Sequence, residues 1–218
     1  MKKLLINSIL PALLCFITAC ARQANTERIA LTPTLIVSPP KIEKTDTPTA
    51  LPTDVEKEEQ AVYSSFFKNY SETIVILRET STGFLPSSSD ELQQRMDYIT
   101  SGLPSASKET LNNYFERNRQ QPSHLSPDMQ LGIDYALLSA EELSEIMNQL
   151  NGWDAFHEKY SQAGYMQFSR VGFNETMDQA IVYVGSVPGP MMGSGNYYLM
   201  EKRGGQWVIK EQVLAWVS

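Results

Sequence analysis

The sequence predicts an α+β domain, with N-terminal helices packed on a C-terminal antiparallel β-meander of about four strands. Three observations carry this prediction. Apolar residues recur at helical spacing through the middle of the chain, most clearly Leu143, Ile146, Met147 and Leu150 at i, i+3, i+4 and i+7. From Gly164 onward that period gives way to β-branched and aromatic runs. Short glycine or polar turns separate those runs, so neighbouring strands run antiparallel, with the helices expected on one face of the sheet.

The elements follow in chain order. Thr53-Asp54-Val55-Glu56 has the form of a capping box, and Val62, Tyr63, Phe66, Phe67 and Tyr70 then mark one helix face. Thr73-Ile74-Val75-Ile76-Leu77 is β-branched and apolar and reads as a buried strand. Pro86 and the serines after it make a loop, and residues 90–100 carry a mixed signal with a short helix from Asp90. Leu111, Tyr114 and Phe115 suggest a helix over 106–118, closed by Gln121-Pro122. Leu131, Ile133, Tyr135 and Leu137 alternate and predict a strand over 130–138. Ser139-Ala140-Glu141-Glu142 is a second capping box, opening the helix that Asn151-Gly152 stops. Trp153, Phe156 and Tyr160 make one more short helical face.

In the last quarter, Met166 to Phe173 is the first strand and Asn174 to Asp178 a turn. Gln179 to Gly185 is the second strand, broken by Pro188-Gly189-Pro190. Gly193-Ser194-Gly195 leads into the third, Asn196 to Lys202. Arg203-Gly204-Gly205 is a tight turn into the last strand, which begins at Gln206 and runs toward Trp216. Trp207 is expected to face the helices.

The run Tyr198 to Ile209, with its glycine turn followed by Trp207-Val208-Ile209, resembles the terminal hairpin of cystatin-like and NTF2-like α+β domains. A longer set resembles a group of uncharacterised bacterial exported and lipid-anchored proteins. It comprises Gly152-Trp153, Phe168 to Asn174, Ala180 to Val184, Gly193-Ser194-Gly195 and Trp216-Val217-Ser218. The resemblance implies a fold type and an envelope location, and it supplies no activity. The helical region is longer than that of a compact NTF2-like module.

The other end of the chain bears on location. Lys2 and Lys3 precede an uncharged apolar stretch, Leu4 to Ala19, which is short for a membrane span of about 20 residues. It ends in Ile17-Thr18-Ala19-Cys20, which resembles the lipobox of bacterial lipoproteins. Residues 1–19 are therefore expected to be a signal peptide, and Cys20 the lipid-bearing mature N-terminus. The remaining cysteine of the two, Cys15, would leave with the leader, so no disulfide forms. Two or more acyl chains, such as palmitate, anchor stably where one does not. Residues 20–53 have prolines spread among threonines, as in Thr32-Pro33-Thr34 and Thr47-Pro48-Thr49, and read as an extended tether. Leu35-Ile36-Val37 interrupts it and offers a short strand for a sheet edge. Residues 54–218 then make one domain of ordinary size.

The chain carries a formal net charge of −7. Losing Lys2 and Lys3 leaves 16 basic against 25 acidic residues, a mature charge of −9. With no basic cluster against that balance, nucleic acid is excluded as a partner and the lipid is the expected membrane contact.

Candidate chemistry is sparse. The two histidines, His124 and His157, have no spacing suited to zinc and no mature cysteine to join them, so no metal and no cofactor is expected. His157 is the candidate base, on the flank of the Trp153/Phe156/Tyr160 face, with Asp154 three residues back to orient it. Arg170 suits a carboxylate, whether of a ligand or of a structural partner. Gly193-Ser194-Gly195 holds only a fragment of a nucleophile motif. Met191-Met192 reads as apolar filler. Tyr183, Tyr197 and Tyr198 suit either a stacking surface or cross-strand packing, and packing is the plainer account. Two functions are expected from this inventory. One is a membrane-anchored binding module for a protein, peptide or glycan. The other is a small hydrolase or lyase using His157.

Overall fold

Asp54 and Glu56 put negative charge on the first turn of α1 (Asp54–Ser64), at the positive end of the helix dipole. The helix turns Val62 and Tyr63 inward, and a 3₁₀ turn, Ser65–Phe67, adds Phe67 to the same core. This computed structural model describes residues 54–84, 86–120, 122–160 and 164–218, which belong to one compact unit, Thr49–Ser218. Thr53, the tether with its Leu35-Ile36-Val37 triplet, and Cys20 lie outside the described residues.

Strand β1 (Ile74–Leu77) is buried at all four positions, as its unbroken apolar run requires. It lies at the centre of a parallel trio. On one side Ile74 to Leu77 pair with Tyr135 to Leu138 of β2, and on the other Val75 and Ile76 pair with Tyr165 and Met166 of β3 (Tyr165–Phe168). Two helices fill the connection from β1 to β2. These are α2 (Ser89–Gly102), capped by the Ser88 hydroxyl accepting from Glu91 N–H, and α3 (Lys108–Arg117), capped by Ser107 accepting from Thr110 N–H. The short helix expected from Asp90 is thus 14 residues long. The strand expected over 130–138 shrinks to Tyr135–Leu138, since Gly132 at φ +75° and the hydrogen-bonded loop before it break the extended run. Helix α4 (Ala140–Met147) opens on the predicted capping box, with Ser139 and Glu142 exchanging both hydrogen bonds. It ends before Leu150, which is fully exposed. Helix α5 (Gly152–Lys159) follows and buries Phe156.

The rest is the predicted meander, enlarged. Strand β5 (Gln179–Gly189) runs antiparallel to β3, to β4 (Gly172–Phe173) and to β6 (Met192–Arg203); β6 pairs with β7 (Gln206–Val217). Gly204 at φ +57° and Gly205 at φ +81° supply the two left-handed residues of the last turn. The sheet therefore has seven strands where about four were expected. It is mixed, in the order β2-β1-β3-β5-β6-β7, with β4 alongside β5.

The helices also cover both faces, not one. Ile74, Ile76, Ala180, Val182 and Trp207 join α1 and the loop residues Leu125, Met129 and Leu131 on one side. On the other, Ile181, Tyr183, Tyr197 and Leu199 pack under α2 and α3, and Val75, Leu77 and Leu138 under α4 and α5. The cause is visible in Ala180-Ile181-Val182-Tyr183-Val184, apolar at both parities and buried throughout. Each such side chain contributes about 1.5–3 kcal/mol only when covered, so a strand apolar on both faces demands helices on both.

Candidate functional site

The residues nominated from sequence are not brought together. His157 is half-buried on α5; its Nε2 lies 3.2 Å from the Pro188 carbonyl and its ring 5.5 Å from that of Trp153. Since a carbonyl only accepts, that nitrogen carries the proton. Asp154 is exposed and makes no hydrogen bond to the imidazole among the described residues. His124 is largely exposed, 3.7 Å from Glu79. Met191 and Met192 stand exposed at the β5–β6 turn. Gly193-Ser194-Gly195 lies within β6, where Gly195 leaves the space taken by the Trp216 indole. Tyr183 and Tyr197 are core residues, and Tyr198 packs against Phe66 at 5.1 Å, so the tyrosines pack and do not form an open platform. Among the described residues no group of three or more His, Cys, Asp or Glu could hold a metal, and no helix is long and apolar enough to cross a membrane.

Arg170 finds a structural partner. The strand expected from Met166 to Phe173 breaks at Ser169-Arg170-Val171, and side chains satisfy the interrupted backbone. Ser169 Oγ accepts from Tyr183 N–H at 2.8 Å; Asn118 bonds both the N–H and the carbonyl of Arg170, at 3.0 and 2.9 Å. Glu59 Oε1 accepts from Val171 N–H at 2.8 Å. The same carboxylate takes Arg170 Nη2 at 2.7 Å on Oε2 and Arg117 Nη2 at 3.2 Å on Oε1. Glu59 is only 4% exposed. It falls on the apolar stripe formed by Val55 and Val62 of α1 and Phe66 of the 3₁₀ turn, four residues after the first and three before the second. A charged residue on such a stripe is the sequence signal of a buried, paired carboxylate.

This network fixes α3 against the sheet, and α3 forms one wall of a cavity shared with α2. The cavity holds about 490 Å³, within the range of small-ligand sites. Its walls are Leu92, Met96 and Ile99 of α2, Phe115 of α3, and Phe84 of the loop after β1; Tyr197 of β6 reaches it from the sheet. Polar groups also line it. Tyr197 donates to the Thr82 carbonyl at 2.8 Å, and burial pushes its phenol up to about 12. Arg95 lies 4.3 Å over the Phe84 ring and 5.6 Å from that of Tyr98, and makes no ion pair with a carboxylate among the described residues. Arg119, at the rim, pairs with Glu116 at 2.7 Å. Tyr114 is 1% exposed, and its hydroxyl has no hydrogen-bond partner among the described residues. Ser169 is near enough to ease its ionisation, but burial dominates and holds the phenol well above its usual range. The hydroxyl is enclosed beside Ser169, whose Oγ donates to the Arg170 carbonyl and accepts from Tyr183 N–H, and it presents no surface to the cavity.

Sequence reasoning passed over this site. Its signal was Leu92, Met96, Ile99 and Leu103 at i, i+4, i+7 and i+11, an apolar stripe with Arg95 on its flank. Compared with protein-family models, with curated proteins and with solved structures, the chain matches none.

Proposed function

We propose that this chain is an envelope lipoprotein, held at a bacterial membrane by lipid on Cys20, whose α+β domain is a binding module and not an enzyme. The lipobox-like Ile17-Thr18-Ala19-Cys20 after a basic and apolar leader supports the anchor. The observation that carries the binding half is the α2–α3 cavity, an apolar recess with a few polar groups, Arg95 among them. Catalysis would need a base with a second polar group converging on it in a recess, and His157 is instead spent on the Pro188 carbonyl.

Two measurements test the reading. Mass spectrometry of the mature N-terminus is expected to find acylated Cys20, and Cys20→Ser to give uncleaved or soluble protein. An unmodified Cys20 or Ala21 terminus in the wild type ends the anchor. For the cavity, the mature chain made without lipid (Ala21 to Ser218) contains the whole compact unit. Calorimetric titration with neutral 4-phenylbutanol should give saturable binding that Met96→Trp removes by filling the recess, with melting retained. Binding unchanged by Met96→Trp places the ligand elsewhere and overturns the site.

A further inference from the structure

Two features of the cavity converge on one kind of ligand. Arg95 is a half-buried guanidinium facing the recess, with aromatic rings on it and no carboxylate opposite. Its charge reaches the Tyr114 and Tyr197 phenols, offsetting part of the burial that raises them. The carboxylates nearby are engaged: Glu116 holds Arg119, Glu91 accepts from Ser87 N–H, and Asp97 accepts from Gln93. Glu91 and Asp97 keep their negative charge, since their partners are neutral, but neither pairs with Arg95, which is the lining guanidinium without an ion pair among the described residues. The remaining walls are mostly apolar and aromatic, and the volume of about 490 Å³ lies within the range usual for small-ligand sites, about 300–1,000 Å³.

We propose that the α2–α3 cavity binds a small amphipathic anion, a carboxylate on an aromatic or aliphatic body. Arg95 takes the carboxylate, and Phe84, Met96, Ile99 and Phe115 take the body. This rests on the reading of the domain as a binding module and adds the chemistry of what it binds. A carboxylate is the group that answers a guanidinium, through a bidentate pair of opposite charges that an alcohol cannot make. A cation is disfavoured by Arg95. A bare anion without an apolar body would leave most of the cavity wall unfilled.

The test uses three probes of one shape: 4-phenylbutyrate, 4-phenylbutanol and 4-phenylbutylamine. They are titrated calorimetrically into the mature chain made without lipid. The butyrate is expected to bind at least tenfold more tightly than the alcohol, and the amine more weakly than either. Arg95→Gln should lower butyrate affinity about tenfold, to near that of the alcohol, and leave the alcohol unchanged; Arg95→Lys should keep part of the preference. Equal or tighter binding of the alcohol overturns the anionic ligand and leaves the cavity as a binding site. Binding of none of the three overturns both.

Discussion

Removing one carboxylate should loosen three elements at once. In Glu59→Ala, Val171 N–H loses its acceptor at a fully buried position, a cost of about 1–3 kcal/mol. Arg117 and Arg170 lose their shared partner. Stripping one member from a wholly buried ion pair costs about 3–5 kcal/mol. Here the guanidinium side chains are 19% and 24% exposed, so water recovers part of that. Combined, these effects predict a destabilisation of about 3–5 kcal/mol, against a total stability of roughly 5–15 kcal/mol for such a domain. For a fold of this size that shift is roughly 6–20 °C in melting temperature. Thermal and urea melts of the mature chain measure it. Glu59→Gln should cost less, because the amide oxygen still accepts from Val171, though its NH₂ then faces a guanidinium. In an Arg170→Met background Glu59→Ala should cost about 0.5–3 kcal/mol less than it does alone, since one stranded charge is gone. A melting temperature within 2 °C of wild type, or strict additivity in that cycle, would refute the reasoning: the backbone break at 169–171 would then be held by Ser169 and Asn118 alone.

Other consequences are as direct. Trp207 is 3% exposed, 5.8 Å from the Phe173 ring and donates to Glu58 Oε2 at 2.9 Å, so Trp207→Ala should cost about 3–5 kcal/mol, whereas His157→Ala, losing one part-buried hydrogen bond, should cost about 1; paired melts compare them, and a Trp207→Ala protein melting within a degree or two of wild type would place the indole at the surface. Burial raises the Glu58 carboxyl, but hydrogen bonds from Lys202 and Trp207 and the Lys202 charge outweigh it and hold the group below its ordinary 4.5. A depressed carboxylate adds stability above its unfolded value and loses it as pH falls through the folded one. The stability gap between wild type and Lys202→Met, read from urea midpoints, should therefore be largest near pH 6 and shrink below about pH 4; a gap that is flat with pH contradicts the pairing. The proline and threonine of residues 22–52 predict protease cuts there that leave a core starting near Thr53, with resistance equal to that of the core pointing to a docked Leu35-Ile36-Val37 strand.

How far the sequence disclosed all this depended on whether a signal was local. The Ser139–Glu142 capping box, the Gly204-Gly205 turn and the inward Trp207 are each written in a few adjacent residues, and each stands where it was expected. The pairing of Ile74 with Tyr135, 61 positions apart in the numbering, has no adjacent turn to announce it, so the parallel half of the sheet stayed out of view. Helix α2 is the instructive case. A helix under a continuous core advertises itself, because periodicity in sequence is a record of burial. Helix α2 borders a recess and buries only Ile99, while Leu92 remains 42% exposed. Polar residues such as Gln93, Arg95 and Asp97 flank its stripe closely, and its apolar signal is correspondingly faint. The faintness and the cavity have one cause: a wall that must leave space for something else cannot be fully packed. Glu59 shows the same logic in reverse, a charge set on an otherwise apolar stripe because a broken strand needed an acceptor there. In this chain the positions where pattern reasoning failed are the cavity wall and the braced break that holds α3 in place, and these are the features on which the proposed binding depends.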